Sequence, residues 1–569
     1  MANCRRNDQP YAGDLGTDHA PIRITDELRP VRVVRLSDSC CVFHFAKNIA
    51  GKARLRVRGE RGTEVRLIHA ERLDAQGRAD QSNIDVHYRP TDDSDPFQTD
   101  LAILSGGDDT FTPQFNYKGF QYVEVRSSRP LSMNAGSLTA LEMHSDVPRA
   151  GEIRASNPTI VKMWRAACNS YLSNLFGYPT DCPQREKNGW TGDAHINVET
   201  GLYSFDAITV YEKWMRDHAD EQRPDGVLPS IIPTAGWGYD WGNGPDWTST
   251  VAIIPWQLYL FYGDATALRQ MYPCMKLYVD HLAQIAPDGI TDWGLGDWVP
   301  VRTQSDKRLT SSIYYMVDAR IVARTARLLG FDDDARRYET LAERVREAIN
   351  SRFLDHDSGL YCSGSQTELS APLYWNVAPD TLREKVALRL YERVKANGFM
   401  LDVGLLGTKT ILGALSDNGY AEAAFRMASQ ESFPSWGWWI ANGATTFYEN
   451  WRIDAENDIS LNHIMFGEVG AWLFSGLGGI RPSEAAPGFR HILLRPALVE
   501  GLDSFSASHR SPYGEIVSQW KRQAEGRILY KAVIPPGSSA SLSLPREKSF
   551  STGGDTVELG SGKHEFTIL

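Results

Sequence analysis

The chain has 569 residues, 42% hydrophobic, 23% charged and 11% aromatic, with a formal charge of -11. This is globular composition for two to four domains, and it excludes disordered and fibrous classes. The 71 acidic and 60 Lys+Arg residues are spread along the chain, so no basic face is expected for nucleic acid or acidic lipid.

No run approaches the ~18 consecutive apolar residues of a membrane helix, and residues 1–16 are polar where a secretory leader would be apolar. The seven cysteines (Cys4, Cys40, Cys41, Cys168, Cys182, Cys274 and Cys362) form no CxxC pair, which suits reduced thiols. A cytoplasmic protein is expected, without cofactor or metal, and with a homodimer left open.

In chain order, residues 1–30 are read as an N-terminal extension and 31–148 as a β-sandwich. Apolar and charged residues alternate in Arg54-Leu55-Arg56-Val57-Arg58, and turn signals such as Ser105-Gly106-Gly107 punctuate the runs. After Pro148 the period becomes helical. Ile321, Val322, Thr325, Leu328 and Leu329 make one stripe, and Tyr338, Leu341, Ala342, Val345 and Ile349 another, joined at Gly330-Phe331-Asp332. About a dozen such stretches suit a toroid of helix pairs over 149–480. From Pro482 alternation returns, as in Ser541-Leu542-Ser543-Leu544, so 481–569 is read as a C-terminal β-sandwich.

Fifteen of the sixteen tryptophans lie between Trp164 and Trp472. Several stand beside glycine and aspartate, in residues 236–247, in Trp293-Gly-Leu-Gly-Asp297-Trp298 and in Trp436-Gly-Trp438-Trp439. Rings interleaved with carboxylates suit a ligand with apolar C–H faces and a rim of hydroxyls, such as a sugar. Each ring could equally seal a loop onto the core. Residues 178–195 (Tyr-Pro-Thr-Asp181-Cys-Pro-Gln-Arg185-Glu186-Lys-Asn-Gly-Trp190-Thr-Gly-Asp193-Ala-His195) display three carboxylates and an arginine on a path bent by Pro and Gly. That arrangement can keep one carboxyl protonated as a general acid and another ionised, or it can be a surface salt-bridge cluster. His195 is read as a residue that orients a carboxylate.

This segment closely resembles the signature of α-L-rhamnosidases of glycoside hydrolase family 78, and four more follow in the same order. They are Pro245-Asp-Trp247-Thr-Ser-Thr-Val-Ala-Ile-Ile-Pro-Trp256, Gly296-Asp297-Trp298, Gly443-Ala-Thr-Thr-Phe-Tyr-Glu449-Asn-Trp451 and Ser460-Leu-Asn-His463. Ala46-Lys-Asn-Ile-Ala-Gly51, Ala70-Glu71 and 117–125 are similar to the sandwich that precedes that family's catalytic domain. The resemblance implies an (α/α)6 barrel between β-sandwiches and hydrolysis of terminal α-L-rhamnosyl groups with inversion. By matching position, Glu186 would be the general acid and Glu449 the general base, with carboxyls roughly 6.5–9.5 Å apart to admit a water. Asp181, Arg185, Trp190, Asp193, Trp247, Asp297, Trp298, Trp439 and His463 would bind the sugar. The first motif is one residue shorter than the commoner Asp-Cys-Pro-Gln-Arg-Asp-Glu, and Glu186 is its only glutamate. With one sandwich ahead of the barrel, short oligosaccharides or aryl and terpenyl rhamnosides are expected as substrates. Another exo-glycosidase, a polysaccharide lyase or a non-catalytic sugar-binding protein are the alternatives. The tryptophan-free first 163 residues are expected to be a support without catalytic role.

Overall fold

The computed structural model describes residues 19–84, 97–456 and 459–569. Cys4 lies outside them, and the other six cysteines are free thiols.

Eight N-terminal strands form one antiparallel network organised on the 19-residue strand Cys40–Arg58. Its first part pairs with Lys118–Ser127, an irregularity follows between His44 and Ile49, and its second part pairs with Leu138–Ser145. In the Arg54–Arg58 stretch Leu55 and Val57 are buried between the arginines, as period-two alternation requires. Phe43, Phe45, Ile49, Leu67, Phe120 and Val125 belong to a core confined to this region. The expected extension is partly strand: Ile22–Leu28 pairs with Leu138–Ser145 at the sheet edge, with Ile22 and Ile24 exposed. Its exposed, polar-rich register hid it from a reading that looks for a buried face.

In the middle region, helices buried on nearly every side alternate along the chain with amphipathic ones. Thr191–Ser204 and Leu405–Asp417 are of the first kind; Ile208–Glu221 and Asp332–Phe353 are of the second. Such alternation is what stacked helix pairs produce when one member faces inward and the other faces water. Lys307–Leu329 and Asp332–Phe353 meet at Gly330, whose φ of 82° suits glycine at a helix C-terminus. The predicted stripe on Asp332–Phe353 is buried throughout. On Lys307–Leu329, Leu328 is exposed, because the helix outruns the core.

The helical chain closes on itself. Val469–Trp472 packs on Pro158–Ser173 and Thr191–Ser204. Thr200 Oγ donates to the Gly467 carbonyl and accepts from Ala471 N, both at 2.8 Å. Lys409 is buried in ion pairs with Glu199 and Glu468. Among the described residues no helix is long and apolar enough to cross a membrane.

At the C-terminus, Ser504–Ser511, Gly514–Arg522, Ile528–Ile534 and Gly562–Ile568 form an antiparallel sheet beside a smaller one. Gly151–Ala155 pairs with Ser504–Ser511, so the start of the expected helical domain belongs to the C-terminal sheet. Trp520, Tyr530 and Leu542 share one continuous core with the helices.

Candidate active site

Residues 178–195 leave the end of Pro158–Ser173 as a loop closed on itself. Asp181 N donates to the Asn188 carbonyl (2.9 Å), and Asn188 N donates back to Asp181 Oδ1 (2.8 Å). Cys182 Sγ donates to Asp181 Oδ2 at 2.7 Å. The chain then enters Thr191–Ser204 with Asp193 in its first turn, where the helix dipole favours a carboxylate. Gly192 lets Trp247 approach: a Cβ there would lie 2.6 Å from the indole.

The opposite wall comes from residues 443–456 and 459–463. Glu449 N donates to the Ser460 carbonyl, and Ser460 N donates to Glu449 Oε2, both at 2.9 Å. His463 N donates to the Phe447 carbonyl at 2.8 Å. This doubled-back segment presents Glu449 and His463 together.

The two walls meet through Arg185. Its Nη2 donates to both oxygens of Glu449 (2.8 and 2.9 Å) and to Glu186 Oε1 (3.1 Å). Trp190 Nε1 donates to Glu186 Oε2 at 2.7 Å. His463 Nε2 bonds Asp193 Oδ1 at 2.8 Å, and its Nδ1 lies 3.8 Å from Glu449 Oε2. These groups line a cavity of about 220 Å³ with Asp181, Trp237, Trp241, Trp247, Leu295, Trp298 and Met465. The space suits one sugar ring rather than a drug-sized ligand, for which roughly 300–1,000 Å³ is usual. Edge-to-face contacts link the indoles: Trp190 to Trp237 (5.8 Å) and Trp241 (5.6 Å), and Trp298 to Trp241 and Trp247 (6.5 Å each).

The charges sort the carboxyls. Burial pushes the Glu186 carboxyl above its usual range; Arg185 pulls it back, and the negative Glu449 pushes it further up. Burial acts in the same direction on Glu449, but the Arg185 and His463 cations and the Ser460 N–H outweigh it and hold that carboxyl below its usual range. His463 is pushed up to about 9: burial opposes its charge, and Glu449 and Asp193 override that. Burial, then the charge of Glu186, pushes Asp181 well up. Among the described residues, Asp181, Cys182 and His463 are close enough together to hold a metal ion. Without a metal, burial pushes the Cys182 thiol well up, and Glu449 and Asp193 push His463 up, so an ion bound there would have to displace a proton from each.

Nine of the eleven residues named from sequence thus border one cavity. Asp297 and Trp439 do not. Asp297 is fully buried and accepts from Thr367 Oγ (2.5 Å), Gly404 N (2.9 Å) and Gly407 N (3.0 Å), capping Leu405–Asp417. Trp439 is fully buried, stacked on Trp451 at 4.7 Å, with Nε1 donating to the Trp451 carbonyl. A tryptophan beside glycine reads the same whether it faces a cavity or a core. His195 bonds the Asp246 carbonyl at 3.0 Å, and burial pushes it down to about 3, so it is a neutral core histidine and orients no carboxylate.

Residues 148–477 match the family described as the bacterial alpha-L-rhamnosidase 6 hairpin glycosidase domain, and 34–144 and 479–557 match the concanavalin-like and C-terminal domains of the same proteins. The chain belongs to the α-L-rhamnosidases of glycoside hydrolase family 78. An alpha-L-rhamnosidase of Streptomyces avermitilis is 32% identical over 96% of this chain and 54% of its own length. One from Alteromonas sp. is 27% identical over 93% and 58%. Among solved structures, the α-L-rhamnosidase of Dictyoglumus thermophilum superposes with a TM-score of 0.89 at 30% identity, covering 97% of this chain and 64% of that one. The S. avermitilis enzyme complexed with L-rhamnose gives 0.88 at 30% identity, over 97% and 54%. The chain therefore spans little more than half the length of these curated rhamnosidases.

In the sequence, Trp237 and Trp241 stand out only within the tryptophan-rich stretch 236–247, and Leu295 and Met465 do not stand out at all. The two indoles had a legible signal, tryptophan in a glycine-rich loop. Leu295 and Met465 had none, since an apolar residue at a cavity looks like any core residue.

Proposed function

We propose that this chain hydrolyses terminal α-L-rhamnosides with inversion, on a helical ring that we read as an (α/α)6 barrel. The observation that carries the proposal is two carboxyls on one cavity in unequal surroundings: Glu449 accepts two bonds from Arg185 and one from Ser460 N, which favours its ionised form, whereas buried Glu186 shares Arg185 through one longer bond and accepts from the Trp190 indole, which leaves it displaced toward the protonated form. Paired carboxyls driven apart in this way define an acid and a base.

In this reading Glu186 transfers its proton to the glycosidic oxygen, which leaves as an alcohol. Glu449 accepts a proton from a water that attacks the anomeric carbon on the opposite face, so free rhamnose of inverted configuration is the product. Arg185, bonded to both carboxyls through one nitrogen, keeps Glu449 ionised. Asp181, Asp193 and His463 meet the sugar hydroxyls, and the indoles meet its C–H face.

The leaving group then lies on the Glu186 side, where Trp190 continues into Trp237 and Trp241, 44% and 47% exposed. Exposed rings beside the acid suit an aromatic or terpenyl aglycone. Replacing both with alanine is expected to raise KM for an aryl rhamnoside about tenfold while leaving hydrolysis of a small alkyl rhamnoside within about threefold of wild type. Equal losses on both substrates would remove this assignment.

The reaction is tested with nitrophenyl α-L-rhamnoside and NMR of the first-formed anomer. Glu186→Gln and Glu449→Gln are each expected to fold and to lose about 10³-fold or more in kcat. Retained turnover in either overturns that residue's role. Retention of configuration overturns inversion, an unsaturated polymer fragment points to a lyase, and binding without turnover to a sugar-binding protein.

A further inference from the structure

Glu71 follows the strand Glu64–Ala70 of the N-terminal sheet, with its carboxyl buried where that sheet meets the helical ring. A buried carboxyl needs its oxygens satisfied, and here the donors include the wall that carries Glu449. Oε2 accepts from Leu461 N at 2.9 Å and from Asn83 Nδ2 at 3.1 Å; Oε1 accepts from Asn48 Nδ2 at 2.9 Å.

The same two amides reach across the boundary. Asn83 Nδ2 lies 3.5 Å from the Ile459 carbonyl, and Asn48 Nδ2 lies 3.3 Å from that of Leu461. Asn48 N also donates to Thr445 Oγ of the ring at 2.9 Å. The backbone is thus gripped on both sides of Ser460. Ser460 is the residue whose N–H donates to Glu449 Oε2, whose carbonyl receives the Glu449 N–H, and whose hydroxyl bonds Gln184 Oε1, beside Arg185.

We propose that Glu71 is a positioning residue for the general base: through Leu461 it fixes Ser460, and Ser460 fixes the place and the ionisation of Glu449. The proposal rests on the reading of Glu449 as the base. It gives the N-terminal sheet a part in the reaction without contact with substrate.

The charged and titratable groups facing Glu449 are Arg185, Glu186 and the Cys182 thiol from one wall and His463 from its own. Glu71 feels Arg185, and Tyr448 lies near it. Loss of the Ser460 N–H from Glu449 makes its carboxylate easier to protonate, so the acidic limb of the kcat/KM profile moves to higher pH.

The test compares Glu71→Ala, Glu71→Gln and Glu449→Gln by pH-resolved kcat and KM for nitrophenyl α-L-rhamnoside, alongside thermal melting. Glu71→Ala is expected to lower kcat about 10- to 100-fold with KM changed less than about threefold. Its acidic limb should rise by on the order of half a pH unit. Glu71→Gln keeps an oxygen for Leu461 N, and the Asn48 Oδ1, which has no hydrogen-bond partner, can turn to meet its amide, so most of kcat should return. A folded Glu71→Ala with wild-type kcat and limb overturns the proposal, as does activity that falls only with the folded fraction. If Glu71→Ala does not fold, Asn83→Ala, which removes one of the donors, is expected to lower kcat several-fold with the same upward movement of the limb; an unmoved limb overturns the proposal. Turnover retained by Glu449→Gln would instead remove the base assignment, whatever Glu71 does.

Discussion

At the C-terminal end, Trp520, Tyr530 and Leu542 are packed in the same apolar core as the helices, and Gly151–Ala155 is a strand of that sheet. At the N-terminal end, Phe43, Leu67 and Phe120 make a core of their own, and several contacts with the ring are polar and fall on the two loops that carry the candidate acid and base. Lys187 Nζ donates to the Tyr117 carbonyl at 2.7 Å, and Gly119 lies against Pro183 and Gln184. Asn48, Glu71 and Asn83 hold residues 459–461. Apolar burial is non-directional and supplies stability, whereas hydrogen bonds fix positions. The two ends therefore differ in kind: one stabilises the ring and the other sets the geometry of its site.

The largest effect that would break this contrast is expected from Trp520→Ala. Removing this fully buried indole should cost about 3–5 kcal/mol, and calorimetry should show the C-terminal sheet and the ring unfolding together, with kcat per folded molecule unchanged. A separate early transition for the sheet would show that the shared core is not cooperative. Next comes Gly119→Val. Even a single added Cβ would lie 2.7 Å from Gln184 N, so the acid loop must shift, and kcat is expected to fall about 100-fold with a smaller change in Tm. Wild-type kcat would sever the N-terminal sheet from the chemistry.

The smallest effect belongs to neither end. His463 is raised to about 9 in the fold against about 6.5 unfolded, so its contribution to stability is complete below about pH 6.5 and is lost as pH rises toward 9. In His463→Asn the pH dependence of Tm over that window should flatten. An unchanged slope would show that His463 is neutral in the fold.

Much of the site was legible because the chain concentrates it. Asp181, Arg185, Glu186, Trp190 and Asp193 stand within thirteen residues on a path that Pro and Gly keep irregular, and the structure brings all five to one cavity. Asp297 and Trp439 were misread for a reason that recurs at Trp436, also fully buried: ring and carboxyl beside glycine mark a constrained loop and not the side on which the residue lies. Glu71 stood out only as part of the sandwich motif Ala70-Glu71, 378 positions before Glu449, and no local pattern records its contact with the loop that carries that glutamate.

By itself the sequence determined the order of sheet, helical ring and sheet, through period-two and period-3.6 patterns that any local window contains. It also determined the identity of the acid and base candidates, through residues matched one by one to family motifs. Only the tertiary structure decided which aromatic rings face the cavity, that Ile22–Leu28 and Gly151–Ala155 are strands of sheets assembled elsewhere, and that the N-terminal sheet grips the base loop. Burial and the ionisation it imposes depend on what the rest of the chain places around a group. Glu186 has Arg185 beside it in the chain, but only the closed ring brings Glu449 to that pair.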